Sequence, residues 1–170
     1  MKFLTREWVT GVLTDNEAED RYAMYQDYVA SIKLRLPEGL RSFVEDFGLI
    51  DGLIENIIVD HSMSEIVLLL RCGDRREGYF DAELHYLGVD FGTTDLTSLR
   101  AAAENPETEV LYDEVDIDGS VFTHSYLFWP QHETTIRFNW FRYKRQNQPD
   151  RLFAIPENPY IERQKHNSSI

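Results

Sequence analysis

From residue 53 onward the chain consists of predicted strands whose connections are short. Strands are predicted at residues 53–59, 65–72 and 79–89, with turns rich in Asp, Ser and Gly between them. A parallel return needs a crossover of about a dozen residues or more, so strands joined this closely run antiparallel. Only a third helix, predicted from Leu96 to Ala103, could serve as such a crossover. The short connections therefore predict a mostly antiparallel sheet.

Three further strands are predicted at residues 110–117, 121–129 and 134–143. Asp118-Gly119 is a favoured pair for the two-residue hairpin turn between the first two of them. In the strand at 79–89 the apolar side chains alternate with polar ones, and the polar face carries Asp81, Glu83 and His85. Such alternation is typical of a half-buried strand.

Two helices are predicted before the strands. Thr14 and Glu17 fit a capping box, which marks the first turn of a helix. An apolar stripe at helical spacing follows, formed by Ala18, Tyr22, Tyr25, Val29, Ile32 and Leu36. Pro37 ends this helix and can begin the second, since proline disfavours helical geometry in the residue before it. The buried face of the second helix is predicted to be Leu40, Phe43, Val44 and Phe47.

These elements predict an α+β fold in one domain of 170 residues. An N-terminal helical pair packs on a mostly antiparallel sheet of about six strands, and one further helix lies between strands. The helical part covers residues 1–50, the sheet part covers 53–145, and an irregular tail covers 146–170.

Several absences concern the location of the protein. No stretch approaches the roughly 20 apolar residues of a membrane helix, and the N-terminus lacks the apolar run of a signal peptide. The single cysteine, Cys72, excludes an internal disulfide. We therefore predict a cytoplasmic protein with no membrane partner. Because no cofactor-binding motif is found, no cofactor is predicted.

Charge indicates the class of partner. The chain has 30 acidic and 17 basic residues, a net charge of -13. Such a surface repels nucleic acid, because nucleic-acid binding depends on Lys and Arg that neutralise phosphates. It attracts basic partners and speeds their encounter. The charge therefore argues against a nucleic-acid partner and favours a basic protein.

The strongest local concentration of charge lies at residues 104–118, which hold seven acidic residues and no basic one. Like charges on one strand face repel each other unless water or a cation screens them. We predict a partner-binding acidic ridge formed by Glu107, Glu109, Tyr112, Glu114, Asp116 and Asp118. An immunity protein, which caps the basic active site of a nuclease toxin, would use a ridge of this kind. The alternative is a face that is merely solvated.

Asp81, Glu83 and His85 support a different function. Carboxylates and imidazole can bind a divalent metal or transfer protons, so the alternative is a small metal-dependent or acid/base enzyme. Neighbours on one strand face lie about 7 Å apart, so one strand cannot bring all three onto one ion. His124 or His132 from another strand would have to contribute. The sequence favours the non-catalytic interpretation, which assigns no catalytic residue.

Several segments resemble a family of bacterial proteins of unknown function. The first of these segments is MKFLTREW at residues 1–8. The others are DGLI at 51–54, LRCGD at 70–74, GYFD at 78–81, LYDEV at 111–115 and LFWP at 127–130. The resemblance implies a bacterial, cytoplasmic, single-domain protein. It implies no activity, because none is established for the family.

Overall fold

The computed structural model describes residues 1–76 and 78–151. The helices in this part of the chain are α1 (Arg6–Val9), α2 (Asp15–Ile32), the 3-10 helix Lys33–Arg35, α3 (Glu38–Asp46) and α4 (Leu96–Glu104). The strands are β1 (Leu53–Asp60), β2 (Glu65–Asp74), β3 (Gly78–Leu87), β4 (Glu109–Asp118), β5 (Val121–Trp129), β6 (Glu133–Phe138) and β7 (Trp140–Asn147). None of these helices is long and apolar enough to cross a membrane.

The strands form two antiparallel sheets, ordered β1-β2-β3-β7 and β4-β5-β6. The α+β class and the antiparallel pairing are thus confirmed, whereas the single sheet of about six strands is wrong. The predicted strand at residues 134–143 is divided at Asn139, so that β6 pairs with β5 while β7 pairs with β3. The Asn139 backbone N–H donates to the Leu87 carbonyl at 3.0 Å, which directs the chain from one sheet to the other.

Two boundaries differ from the predicted ones. Asp118 pairs with Val121, so the hairpin loop is Gly119-Ser120 rather than Asp118-Gly119. Gly119 has φ +64°, a conformation that glycine adopts without steric cost. Strand β7 continues to Asn147, where the irregular tail was predicted. The rest of that predicted tail, from residue 152, lies outside the described residues.

The core lies between the two sheets. Tyr86 of β3 contacts His124 and Tyr126 of β5 and the ring of Phe138 of β6. On α3, the Phe43 ring contacts both His124 and Phe141, so this helix packs against both sheets at one side of the core. Leu99 and Ala102 of α4 are also fully buried in the core.

Helix α2 begins as predicted, with Thr14 and Glu17 forming a complete capping box. Its predicted stripe is only partly correct, because Tyr25 and Ile32 are buried whereas Tyr22 is 47% exposed. The side chains that join α2 to β4 are Tyr25, whose hydroxyl accepts the Val115 N–H, and Tyr28, whose hydroxyl donates to Asp116. Packing through these two tyrosines turns Tyr22 toward an open cavity, which is described next.

Candidate functional site

A cavity of about 310 Å³ lies between α2, α3, the N-terminal segment and β4. Its aromatic walls are Tyr22 and Tyr25 of α2, Phe43 of α3, Phe47 directly after α3, and Tyr112 of β4. The only charged side chains among its described lining residues are Glu45 and Asp113, so no Lys, Arg or His of the described chain lines it. The cavity is therefore aromatic and acidic.

Local structure explains why these rings converge. Tyr22 and Tyr25 are three residues apart on α2, so they lie on one helix face. Phe47 follows the last residue of α3, and its ring centroid lies 5.2 Å from that of Phe43. Tyr112 follows a bulge of β4 between Val110 and Tyr112. Its ring packs edge-on against Trp8 of the N-terminal segment, with centroids 4.3 Å apart. Helix spacing and the bulge thus place aromatic walls on three sides.

Asp113 connects the cavity to a buried polar network. Its Oδ2 lies 2.9 Å from Nε2 of His124, which is fully buried. The other ring nitrogen, Nδ1, is 2.8 Å from the Tyr86 hydroxyl and 3.1 Å from the Tyr126 hydroxyl. The two hydroxyls also contact each other.

The hydrogen-bonding capacity of each group assigns one proton in this network. An ionised carboxylate only accepts, so Nε2 of His124 carries the hydrogen that points to Asp113, whereas each tyrosine hydroxyl beside Nδ1 can either donate or accept. Burial raises the pKa of Tyr86 and of Tyr126 well above the ordinary value, so both keep their protons. The His124 imidazole thus connects the Asp113 carboxylate to the two tyrosine hydroxyls.

Asp113 also acts on the titratable groups near it. Burial raises the pKa of the Cys72 thiol to about 12, and the Asp113 charge adds to this shift. The pKa of Tyr25 is raised by burial first and by the same charge second. Cys72 is therefore a protonated, fully buried thiol rather than a nucleophile.

The mouth of the cavity carries exposed apolar side chains beside carboxylates. Tyr22 is 47% exposed and Ile50 is 51% exposed. The Asp51 N–H donates to the Val110 carbonyl at 2.8 Å, which holds the loop that contains Ile50 and Asp51 against the start of β4. We define Tyr22, Ile50, Asp51, Glu109 and Tyr112 as the mouth surface.

Electrostatic coupling indicates how close these side chains are. The pKa of Glu109 is raised by burial and then by the Asp51 charge. The pKa of Tyr112 is raised by burial first, then by Asp51 and by Tyr22. The mouth surface therefore combines side chains from three parts of the chain that act on one another electrostatically.

The predicted acidic ridge is not one exposed surface. Glu109 and Tyr112 lie at the mouth, and Glu107 is exposed in the loop before them. Glu114 is buried, because its carboxylate accepts the backbone N–H groups of residues 2, 3 and 4. Asp116 accepts from Tyr28, and Asp118 lies at the far hairpin, 3.1 Å from Arg137. The assignment of these residues to partner binding stays a prediction.

Asp51, Asp113 and His124 are not among the site residues predicted from the sequence. Asp113 belongs to the acidic run but lies on the opposite face of its strand from Tyr112 and Glu114, which removed it from the ridge. His124 occupies an apolar strand face and was considered only as a contributor to a metal site. The alternation of inward- and outward-facing side chains along β4 and β5 could have indicated that Asp113 and His124 both face inward and lie near each other.

Asp81, Glu83 and His85 share one face of β3, as predicted, but each has its own partners. Asp81 binds Arg151 at 2.6 Å and the Gln148 amide at 2.7 Å. His85 lies between Glu65 at 2.8 Å and Glu83 at 2.5 Å. Lys144 binds Glu83 at 3.0 Å and is the main cause of the lowered pKa of that carboxyl. Within residues 1–76 and 78–151, no group of three or more His, Cys, Asp or Glu side chains is placed to hold a metal ion.

We predict that Zn²⁺, Mn²⁺, Mg²⁺ or Ca²⁺ leaves the melting temperature unchanged, because a metal that binds only the native state would raise it. The carboxylates of Asp81 and Glu83 already have basic partners, which a metal would have to displace. Thermal denaturation with and without each ion measures the shift. An increase that is lost when Asp81, Glu83 and His85 are all replaced by alanine would instead support the metal-dependent enzyme.

No protein-family model matches the chain, and no curated protein matches it. The resemblance to the bacterial family of unknown function therefore stays a prediction.

Proposed function

We propose that this is a non-catalytic binding protein that engages a basic protein partner through the mouth surface. The observation that carries the proposal is the combination of exposed Tyr22 and Ile50 with the carboxylates of Asp51 and Glu109 around an acidic, aromatic cavity. Buried aromatic anchors within a polar rim are typical of protein interfaces.

The charge of the neighbouring helix supports the same proposal. Helix α2 carries five acidic residues (Asp15, Glu17, Glu19, Asp20 and Asp27) and one basic residue, Arg21. With a net charge of -13, the protein attracts a basic partner over a longer range than its contacts reach. An immunity protein that blocks a basic nuclease toxin is the form of this function that we favour.

The enzyme alternative gains less support. The ion pairs of Asp81, Glu83 and His85 join β3 to β7 and to Arg151, which is a structural use of these side chains. The Cys72 thiol in the core and the Tyr25 hydroxyl at the cavity stay protonated at neutral pH, since burial raises their pKa values. A binding role requires none of these groups to react.

Charge reversal at the mouth is expected to slow association with the partner by about tenfold, because charges near an interface act mainly on the association rate. The variant is Asp51→Lys with Glu109→Lys. A pull-down from bacterial lysate at low salt identifies basic proteins that wild-type protein retains and this variant loses. Stopped-flow measurement with the recovered protein then gives the two rates.

The matched control reverses two exposed carboxylates away from the mouth, Asp118→Lys with Glu38→Lys, and has the same net charge. It should associate at nearly the wild-type rate. Raising salt from 0.1 M to 1 M shortens the screening length from about 10 Å to about 3 Å, so wild-type association should also slow steeply. Equal rates for the mouth variant and the control variant would overturn the proposal.

A further inference from the structure

The cavity contains one carboxylate that forms no ion pair with a Lys or Arg of the described chain. Glu45 forms an ion pair with Lys33. Asp113 is bonded only by His124, through Oδ2, and no described residue donates a hydrogen bond to its Oδ1. Its side chain keeps 19% of its surface accessible. Asp113 thus presents a carboxylate oxygen at the cavity wall that can still accept a hydrogen bond.

The network behind Asp113 fixes its position. His124 is held by Tyr86 and Tyr126 on its other side, so the imidazole cannot rotate away without breaking bonds in the core. The fold therefore holds the Asp113 carboxylate beside aromatic rings, where a polar atom without a hydrogen-bond partner is costly.

The walls favour an organic cation as the compensating group. Aromatic faces attract cations through the negative potential of the ring, and Tyr22, Tyr25 and Phe43 line the cavity together with Asp113. Guanidinium is planar, stacks on aromatic rings and pairs with carboxylates, whereas a lysine ammonium is more strongly hydrated. A cavity of about 310 Å³ is near the lower limit of about 300 Å³ for ligand sites, so it suits one side chain.

We propose that the cavity receives an arginine side chain of the basic partner, with its guanidinium bound to Asp113 and stacked on the aromatic walls. This inference rests on the proposed function, and it adds the residue class that the partner inserts. The mouth surface attracts and orients the partner, and the cavity holds its arginine.

The test uses N-acetyl-arginine methylamide as the probe and the neutral isostere N-acetyl-citrulline methylamide as its control. Backbone amide shifts of the ¹⁵N-labelled full chain report binding at residues around the cavity, such as Ile50 and Tyr112. We expect the arginine probe to shift these amides and the citrulline probe to bind at least about tenfold more weakly, because the ion pair is lost. N-acetyl-lysine methylamide should also bind more weakly than the arginine probe.

Two variants test the role of the cavity. Asp113→Asn removes the charge but keeps an oxygen that can accept the His124 hydrogen bond, so the fold should persist, and its melting temperature checks this. Gly48→Leu adds a side chain at a lining position where a new Cβ meets no heavy atom within 4 Å. Both variants should lose arginine binding. Unchanged binding in both variants, or equal binding of the citrulline probe, would overturn the inference.

The outcomes separate this inference from the proposed function. If the mouth variant slows partner association but arginine binding does not depend on Asp113, the proposed function stands and the arginine anchor is wrong. If arginine binding depends on Asp113 but no basic protein depends on the mouth surface, the partner is wrong, and the cavity is a site for free arginine.

Discussion

Replacing Glu114 with alanine is expected to destabilise the protein by about 3–5 kcal/mol, although sequence alternation suggests an exposed residue. The Glu114 carboxylate accepts the N–H groups of Lys2 and Phe3, each at 2.7 Å, and that of Leu4. Hydrogen bonds to charged groups contribute about 1.5–3 kcal/mol each. The expected loss is smaller than the sum of three such bonds, because the N-terminal segment can detach and its freed N–H groups can then bind water. A domain of ordinary stability, about 5–15 kcal/mol, would lose a large part of it.

The measurement is urea denaturation followed by circular dichroism, with Asp118→Ala as the matched control. Asp118 is on the same strand face and its side chain is 76% exposed, so its contact with Arg137 should contribute no more than about 1 kcal/mol. Glu114→Gln should lie between the two, because the amide oxygen can still accept hydrogen bonds but carries no charge. Equal midpoints for Glu114→Ala and Asp118→Ala would show that Glu114 does not hold the N-terminal segment.

The segment that Glu114 holds also forms part of the candidate site. Leu4 lines the cavity, and Trp8 packs against Tyr112 at its mouth. Arg6 donates to the carbonyls of Phe128 and His132, each at 2.9 Å, which fixes the segment to the end of β5. Glu114 therefore acts as a positioning residue for the cavity rather than as a direct contact for a partner.

Replacing His124 with alanine is expected to cost about 3–5 kcal/mol, the usual range for truncating a large buried ring. The ring is completely buried, with its centroid 4.3 Å from that of Tyr126. Its removal leaves a void between the sheets and deprives Asp113 of its only donor among the described residues. Tyr86 and Tyr126 would keep only their bond to each other.

Tyr126→Phe is the matched control for the polar network. It removes one hydroxyl without a change in ring volume, and the bond from Tyr86 to His124 remains, so we expect a loss of about 1 kcal/mol. Urea denaturation of both variants gives the comparison. If His124→Ala and Tyr126→Phe lower the free energy of unfolding by the same amount, the buried network with His124 at its centre contributes no more than one hydrogen bond.

Much of the local structure could be predicted from the sequence. Thr14 and Glu17 determine the start of α2 through bonds within four residues, and Pro37 separates α2 from α3. The alternation around Asp81, Glu83 and His85 correctly predicts which side chains share a strand face. These features depend on neighbours along the chain, so short-range patterns contain the necessary information.

The two sheets illustrate a limit of such patterns. Residues 134–138 alternate with apolar side chains at even positions, whereas Phe141 and Tyr143 are apolar at odd positions. The change of phase after Asn139 marks an irregularity, but it does not indicate that the chain passes to another sheet. The bond from Asn139 to Leu87 depends on a strand about 50 residues earlier. Pairing between distant strands is decided by the packing of the whole core, which a local pattern does not record.

The sequence by itself determined most of the helices and strands, the antiparallel pairing of adjacent strands and the excess of negative charge, because each follows from local spacing or from composition. Only the tertiary structure decided what each charge does. Glu114 and Asp118 share one strand face, yet Glu114 is buried by a segment 110 residues away while Asp118 remains in solvent. Alternation specifies the face of a strand but not what covers that face, and the covering segment decides whether a carboxylate stabilises the fold or is free to bind a partner.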